Sequence, residues 1–226
     1  SSFRVKTDSN FFYQLRNFIF FKPKTRRYEA EIFGTLFLKN IRILSPYSRY
    51  VRLTINDNLP TDYIFQEKIT KYFVERNGFR EEPILEYDEK NKWNNYILEK
   101  SFNQSANFYK LENGSYANNQ ENIDKIFHAA TVKQFRSKLT NNSNNLFETS
   151  MLIMGGCHGF AAHNRKYYFD SLNNDFLPIY YDGMLFYDKS NNLCEEERKK
   201  YQIKITERNF KSIEKISLKN RLGSFF

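Results

Sequence analysis

The chain has 226 residues and 27.3 kDa, with 40% hydrophobic and 18% aromatic side chains. That is apolar surface enough for one large domain or two small ones, and too much for a disordered chain. Lys and Arg outnumber Asp and Glu by 35 to 26, giving a net charge of +9 and a positive field that draws phosphate-bearing partners. Two cysteines are too few for a disulfide framework, and no apolar run reaches the roughly 18 residues of a membrane span.

The opening segment NFFYQLRNFIFFK is aromatic but interrupted by Gln14, Arg16 and Asn17, and no signal-peptide pattern is visible. From Thr25 onward, Ile32, Phe33, Leu36, Phe37 and Ile41 recur at helical spacing behind Glu29 and Glu31, acidic residues that suit a helix N-terminus. Ser45-Pro46 ends that run. Val51, Leu53 and Ile55 then alternate with Arg52, Thr54 and Asn56, a turn follows at Asp57 to Pro60, and DYIFQ returns as the second strand of a hairpin. A helix opening on Glu67 presents Ile69, Tyr72 and Phe73 on one face and stops at Gly78, a residue suited to the left-handed C′ position.

PILEYDE reads as a short strand, and the Asn-rich stretch from Asn91 to Asn122 as a long loop between lobes. NIDKIFHAATVKQFRSKL and NNLFETSMLIMGG read as helices, the second halted by its glycine pair. RKYYF and FLPIYY form a hairpin around a turn at Leu172 to Asp175, and the tail after Asn192 reads as amphipathic helix. The order predicts an α+β fold of two lobes, strand-bearing over about residues 1–100 and mainly helical over about 101–226.

Several residues invite chemistry. Glu67, opening a helix after a hairpin, can orient a cation from Lys24, Arg26 or Arg27 onto the phosphates of ATP, or can merely complement the helix dipole. A loop Asn, a hairpin and an Asp-Gly, here Asn164, RKYYF to FLPIYY, and Asp182-Gly183, supply oxygen ligands from two places to one divalent ion. The bland alternatives are a strand cap at Asn164 and an ordinary Asp-Gly turn. Cys157, His158, His163 and Cys194 offer a zinc set, but without the paired spacing that anchors one. Cys157 with His163 or His128 is a candidate nucleophile pair, against which stands an inert buried thiol. Basic and aromatic residues interleave in RNFIFFKPKTRRY and HNRKYYF, as on a single-strand nucleic-acid platform, though no motif of a known binding module accompanies them.

Taken in order, SRYVRLTINDNLPTDYIFQEKITKYFVER and HNRKYYFDSLNNDFLPIYYDG resemble the spore-coat CotH kinase family, whose members carry a strand ending in Ile-Asn-Gly, a following strand and a helix-opening Glu with a basic residue. The match here is Ile55-Asn56-Asp57 and Glu67-Lys68. It continues with an Asn-led strand, a turn and a counterpart of the family's Pro-x-x-Trp-Asp segment in which Tyr181 stands for the Trp, and covers about Thr25 to Asp188. The resemblance implies a kinase-like fold, a cell-envelope or secreted setting, truncation of this chain at one or both ends, and ATP- and Mg²⁺- or Mn²⁺-dependent transfer to a protein or other hydroxyl acceptor. By position, Glu67 becomes the helix glutamate paired with the ATP-contacting cation (Lys24 or Arg26), and Asn164 and Asp182 the metal ligands. The family's loop Asp is absent from CHGFAAHN, leaving His158, or His163, to act as base or to meet acceptor or phosphate. The family's second carboxylate is Met184 here, and no glycine-rich phosphate loop is evident. An inactive nucleotide-binding pseudokinase or a surface interaction module is therefore the alternative reading.

Overall fold

The computed structural model describes residues 2–7, 12–87, 109–111, 120–122, 124–125, 128–129, 142–161, 164–186, 194 and 211. The expected tail helices after Asn192 lie outside the described residues except at Cys194 and Lys211. The long loop from Asn91 does so except at 109–111 and 120–122, and the helix expected from Asn122 except at 122, 124–125 and 128–129. No helix among the described residues is long and apolar enough to cross a membrane.

Strands β1 (Phe3–Lys6) and β2 (Asn17–Phe21) pair antiparallel, and β2 pairs onward with β4 (Thr61–Glu67), the partner of β3 (Ser48–Leu53). The interrupted aromatic opening thus supplies an inner strand in a sheet of order β1-β2-β4-β3. Its register sorts side chains by parity, because successive strand residues point to opposite faces. One face carries Phe18, Phe20 and Phe65 in a cluster with Leu15; the other carries Ile19, Phe21 and Ile64. Both faces are buried, so β2 reads as a continuous apolar run rather than an alternation.

The second face is covered by a 3-10 turn (Pro23–Arg26) and helix α1 (Glu29–Asn40). α1 forms where the sequence predicts it, but turned on its axis. Phe33 and Leu36, expected in the core, are 52% and 53% exposed, while Glu31, Gly34, Thr35 and Leu38 are buried. Specific polar and close contacts outweigh the apolar stripe. Glu31 accepts two side-chain hydrogen bonds, Ser45 Oγ donates to Thr35 O at 2.9 Å, and a Cβ at position 34 would overlap Leu185.

α2 (Lys71–Arg76) begins after Thr70, four residues later than expected, so Glu67 ends a strand instead of opening a helix. Its expected stop holds: Gly78 has φ +81°, and Phe79 N–H reaches back to Val74 O at 3.1 Å. The second sheet has the order β6-β5-β7-β8, from β5 (Ile84–Tyr87), β6 (Tyr109–Leu111), β7 (Lys166–Asp170) and β8 (Asp175–Ile179). The β7–β8 hairpin turns at residues 171–174, one residue earlier than the expected Leu172 to Asp175. β5 binds strands that lie far downstream, so this sheet draws on both halves of the chain. Helix α3 (Asn142–Ile153) packs on it, with Asn144 donating to Phe176 O at 2.9 Å. The described residues therefore form an α+β structure with two antiparallel sheets.

A parallel bridge from Leu44 to Ile179, with Tyr180 N–H donating to Leu44 O at 2.8 Å, ties the exit of α1 to the end of β8. Around that seam Leu38, Ile41, Phe147, Met151, Phe160 and Tyr180 form a core joining α1 to α3. Truncating the fully buried Phe65 to Ala is expected to cost about 3–5 kcal/mol, whereas Leu36→Ala, on the exposed face of α1, should stay within about 0.5 kcal/mol. Urea unfolding of the two variants checks the rotation assigned to α1.

Candidate functional site

Arg26 leaves the 3-10 turn pointing inward and forms an ion pair with Asp182, which lies just beyond β8. The side chains are only 6% and 18% exposed. The guanidinium stands 4.0 Å from the Phe21 ring centre and 5.2 Å from that of Tyr181, so two aromatic faces stand in for the water it has lost. His158 Nε2 is 3.6 Å from the other Asp182 oxygen, and this imidazole is 38% exposed, at the rim. It sits on a 3-10 turn (Cys157–Phe160) after α3. The buried Asn164 donates from Nδ2 to His158 O at 3.0 Å, which fixes that turn and leaves its amide oxygen outside this bond.

The pair is held in unusual backbone. Arg27, Tyr28, Asp182 and Met184 all adopt positive φ, which side-chain-bearing residues avoid. Although ion-paired, Arg26 Nε and Asp182 Oδ1 are buried without a hydrogen bond of their own.

A second buried carboxyl stands behind this pair. Glu31 accepts from Gln66 Nε2 and from the Tyr180 hydroxyl, both at 2.8 Å, and Gly183 N–H donates to that same hydroxyl at 3.3 Å. Gln66 also donates to Ser48 Oγ at 3.0 Å. The chain of contacts runs from the first sheet through α1 to the Asp182-Gly183 loop. Burial pushes the Glu31 carboxyl above its ordinary value of 4.5, while the charge of Arg26 and the two hydrogen bonds pull it down. The buried Lys166 pairs with Glu86 and lies 4.7 Å from the centre of the Tyr181 ring.

The structure thus brings Arg26, His158 and Asp182 together, with Asn164 bonded to the backbone of His158, and excludes Glu67. Glu67 pairs with Arg76 and accepts from Tyr47 N–H at 3.1 Å. Strand parity is the reason: Gln66 faces α1 and the site, and its neighbour Glu67 faces the Phe18 and Phe65 side. Of the basic candidates, Lys24 is exposed, and Arg27 is exposed and lies 4.0 Å from the Phe186 ring centre, so only Arg26 enters the site. His163 lies outside the described residues, and His128 is exposed against Phe169, in the second sheet. Cys157 and Cys194 form a disulfide, so neither sulfur is free as zinc ligand or nucleophile in this state. Glu31, Lys166 and Glu86 were not anticipated. The one clue to Glu31 was its place at i, i+3 and i+7 from Gly34 and Leu38, the face that is buried.

No cluster of three or more His, Cys, Asp or Glu side chains able to hold a metal occurs among the described residues. One carboxylate and one carboxamide are too few for a resident ion, but they fit Mg²⁺ or Mn²⁺ arriving with phosphate oxygens, which commonly bind with one or two protein carboxylates. No protein-family model matches the chain, and no curated protein sequence matches it.

Because the folded-state pKa of Glu31 is raised, its burial costs nothing below about 4.5 and costs progressively more as pH rises through the folded value. Glu31→Gln should therefore gain melting temperature relative to the wild type between pH 4 and pH 8, with no gain at the acid end. Melts across that range decide it; a gap that shrinks with rising pH means that Arg26 holds the carboxylate comfortably ionised.

Proposed function

We propose that this chain is a divergent CotH-like phosphotransferase that moves the γ-phosphoryl group of ATP to a hydroxyl of a protein or other acceptor. Arg26 binds and orients the phosphates. Asp182, with the amide oxygen of Asn164, holds the Mg²⁺ or Mn²⁺ that accompanies them; when bound, that ion supplies charge neutralisation on the phosphate oxygens. Glu31 takes the positioning part expected of Glu67, acting through Tyr180 on the Asp182 loop and electrostatically on Arg26. His158, at the rim beside Asp182, is where an acceptor hydroxyl would meet a base.

The observation that carries this reading is the burial of Arg26 against Asp182, a cation and a carboxylate far apart in the sequence, with Arg26 Nε left without a hydrogen bond. Phosphoryl transfer needs little more than positioning and preorganised charge, which is what such a pair provides. A second reading has its own support. Asp182 is already neutralised by Arg26, and no further carboxylate accompanies it in the His158 turn. On that reading the site binds nucleotide and transfers nothing.

The pairing has a consequence for binding order. Free metal must displace a buried guanidinium, whereas a metal–nucleotide complex offers phosphates to the released Arg26. Calorimetry should therefore detect MnATP binding and no comparable binding of Mn²⁺ alone. Asp182→Asn and Arg26→Gln should each weaken MnATP by tenfold or more, about 1.4 kcal/mol, with ligand-free melts reporting any loss of fold. Intact-mass measurement of phosphate transfer then separates kinase from pseudokinase. A wild-type protein that is indifferent to MnATP sinks both.

A further inference from the structure

We propose a second binding site, on the first sheet, for an organic cation: an ammonium or guanidinium group, either the basic side chain of a peptide or a free amine. A hollow of about 650 Å³ opens between the start of α1 and strands β3 and β4. Pro23 lines it, one 3-10 turn before Arg26, so the hollow adjoins the Asp182 cluster without sharing its side chains. The inference does not depend on phosphoryl transfer.

The walls are two tyrosine rings, Tyr28 and Tyr50, and the polar groups are Glu29, Asp62 and Arg52. Their charges are not balanced. Arg52 binds Asp62 through Nε at 2.8 Å and through its terminal nitrogen at 3.4 Å, which consumes both. Glu29 remains as a negative charge with no cationic partner among the lining residues, on an exposed side chain that is hydrogen-bonded to the Tyr50 hydroxyl. Burial, and then the neighbouring Glu29, push that phenol up to about 12, so it stays a neutral ring across ordinary pH.

A cation placed here meets aromatic faces and a carboxylate at once, two attractions that reinforce each other, in a protein whose net charge of +9 otherwise repels it. An anion such as a phosphate meets the opposite field, because Arg52 is already engaged. The volume exceeds a bare ammonium and falls in the range of side-chain-sized and small organic ligands. Tyr28 reaches the hollow from φ 55° and ψ −126°, a conformation natural to glycine, with its ring half exposed. Folding alone gives no reason for a tyrosine there.

That last feature makes the test sharp. N-acetyl-lysine methylamide and N-acetyl-arginine methylamide, titrated by ligand-observed NMR, should bind, and the uncharged N-acetyl-norleucine methylamide and adenosine should not. Glu29→Gln should weaken the cationic probes about fivefold. Tyr28→Gly should abolish their binding while melting at or above the wild-type temperature, because it relieves the backbone. Spermidine, as the free-amine arm, separates the two sources: binding by spermidine with weaker peptide mimics assigns a free amine, and the reverse assigns a peptide. Equal binding of the neutral probes, or cation binding untouched by Glu29→Gln, overturns the proposal.

Discussion

The carboxyl of Glu31 is fully buried and is met from two directions, by Gln66 of the first sheet and by Tyr180 at the end of the second. Remove it and two buried donors lose their acceptor, each a loss of about 1–3 kcal/mol. The rotation of α1 follows from this demand. A helix that must aim Glu31 inward carries Gly34, Thr35 and Leu38 in with it, and leaves Phe33 and Leu36 to solvent. The missing side chain at Gly34 completes the fit, since Tyr180 and Leu185 fill the space that a Cβ would need.

From that anchor the site is assembled by adjacency. Tyr180 fixes the loop whose next residues are Tyr181, Asp182 and Gly183, and the turn before α1 swings Arg26 across Phe21 to meet them. A buried ion pair is a poor source of stability, because desolvation of both charges offsets their attraction. The positive-φ residues Arg27, Tyr28, Asp182 and Met184 add about 1–3 kcal/mol each. Two unfavourable features thus coincide at one place, each held by its surroundings.

The disulfide changes the meaning of the segment around His158. Cys157 belongs to the turn that presents His158 to Asp182, and its bond to Cys194 ties that turn to a residue in the tail of the chain. Such a link restricts the unfolded chain and holds the rim of the site in place. The cysteines that looked like candidates for metal or nucleophilic chemistry are scaffolding.

Local rules made much of the fold legible. The β3–β4 and β7–β8 hairpins follow from alternation and turn residues, α1 and α3 from apolar period, and the end of α2 from Gly78, because each is settled by neighbours in the chain. Asn164 and Asp182 were likewise visible as a loop amide and a carboxylate flanking a hairpin. The inward turn of Arg26 rather than Lys24 or Arg27 was not, nor was the burial of Glu31 next to the Asp182 loop while Glu67 faces away. Both depend on direction: one residue along a strand reverses the face on which a side chain stands, and a fraction of a turn reorients a helix. Those directions are set by what waits across the gap, Gln66, Tyr180 and Asp182, partners that only the folded chain brings within reach.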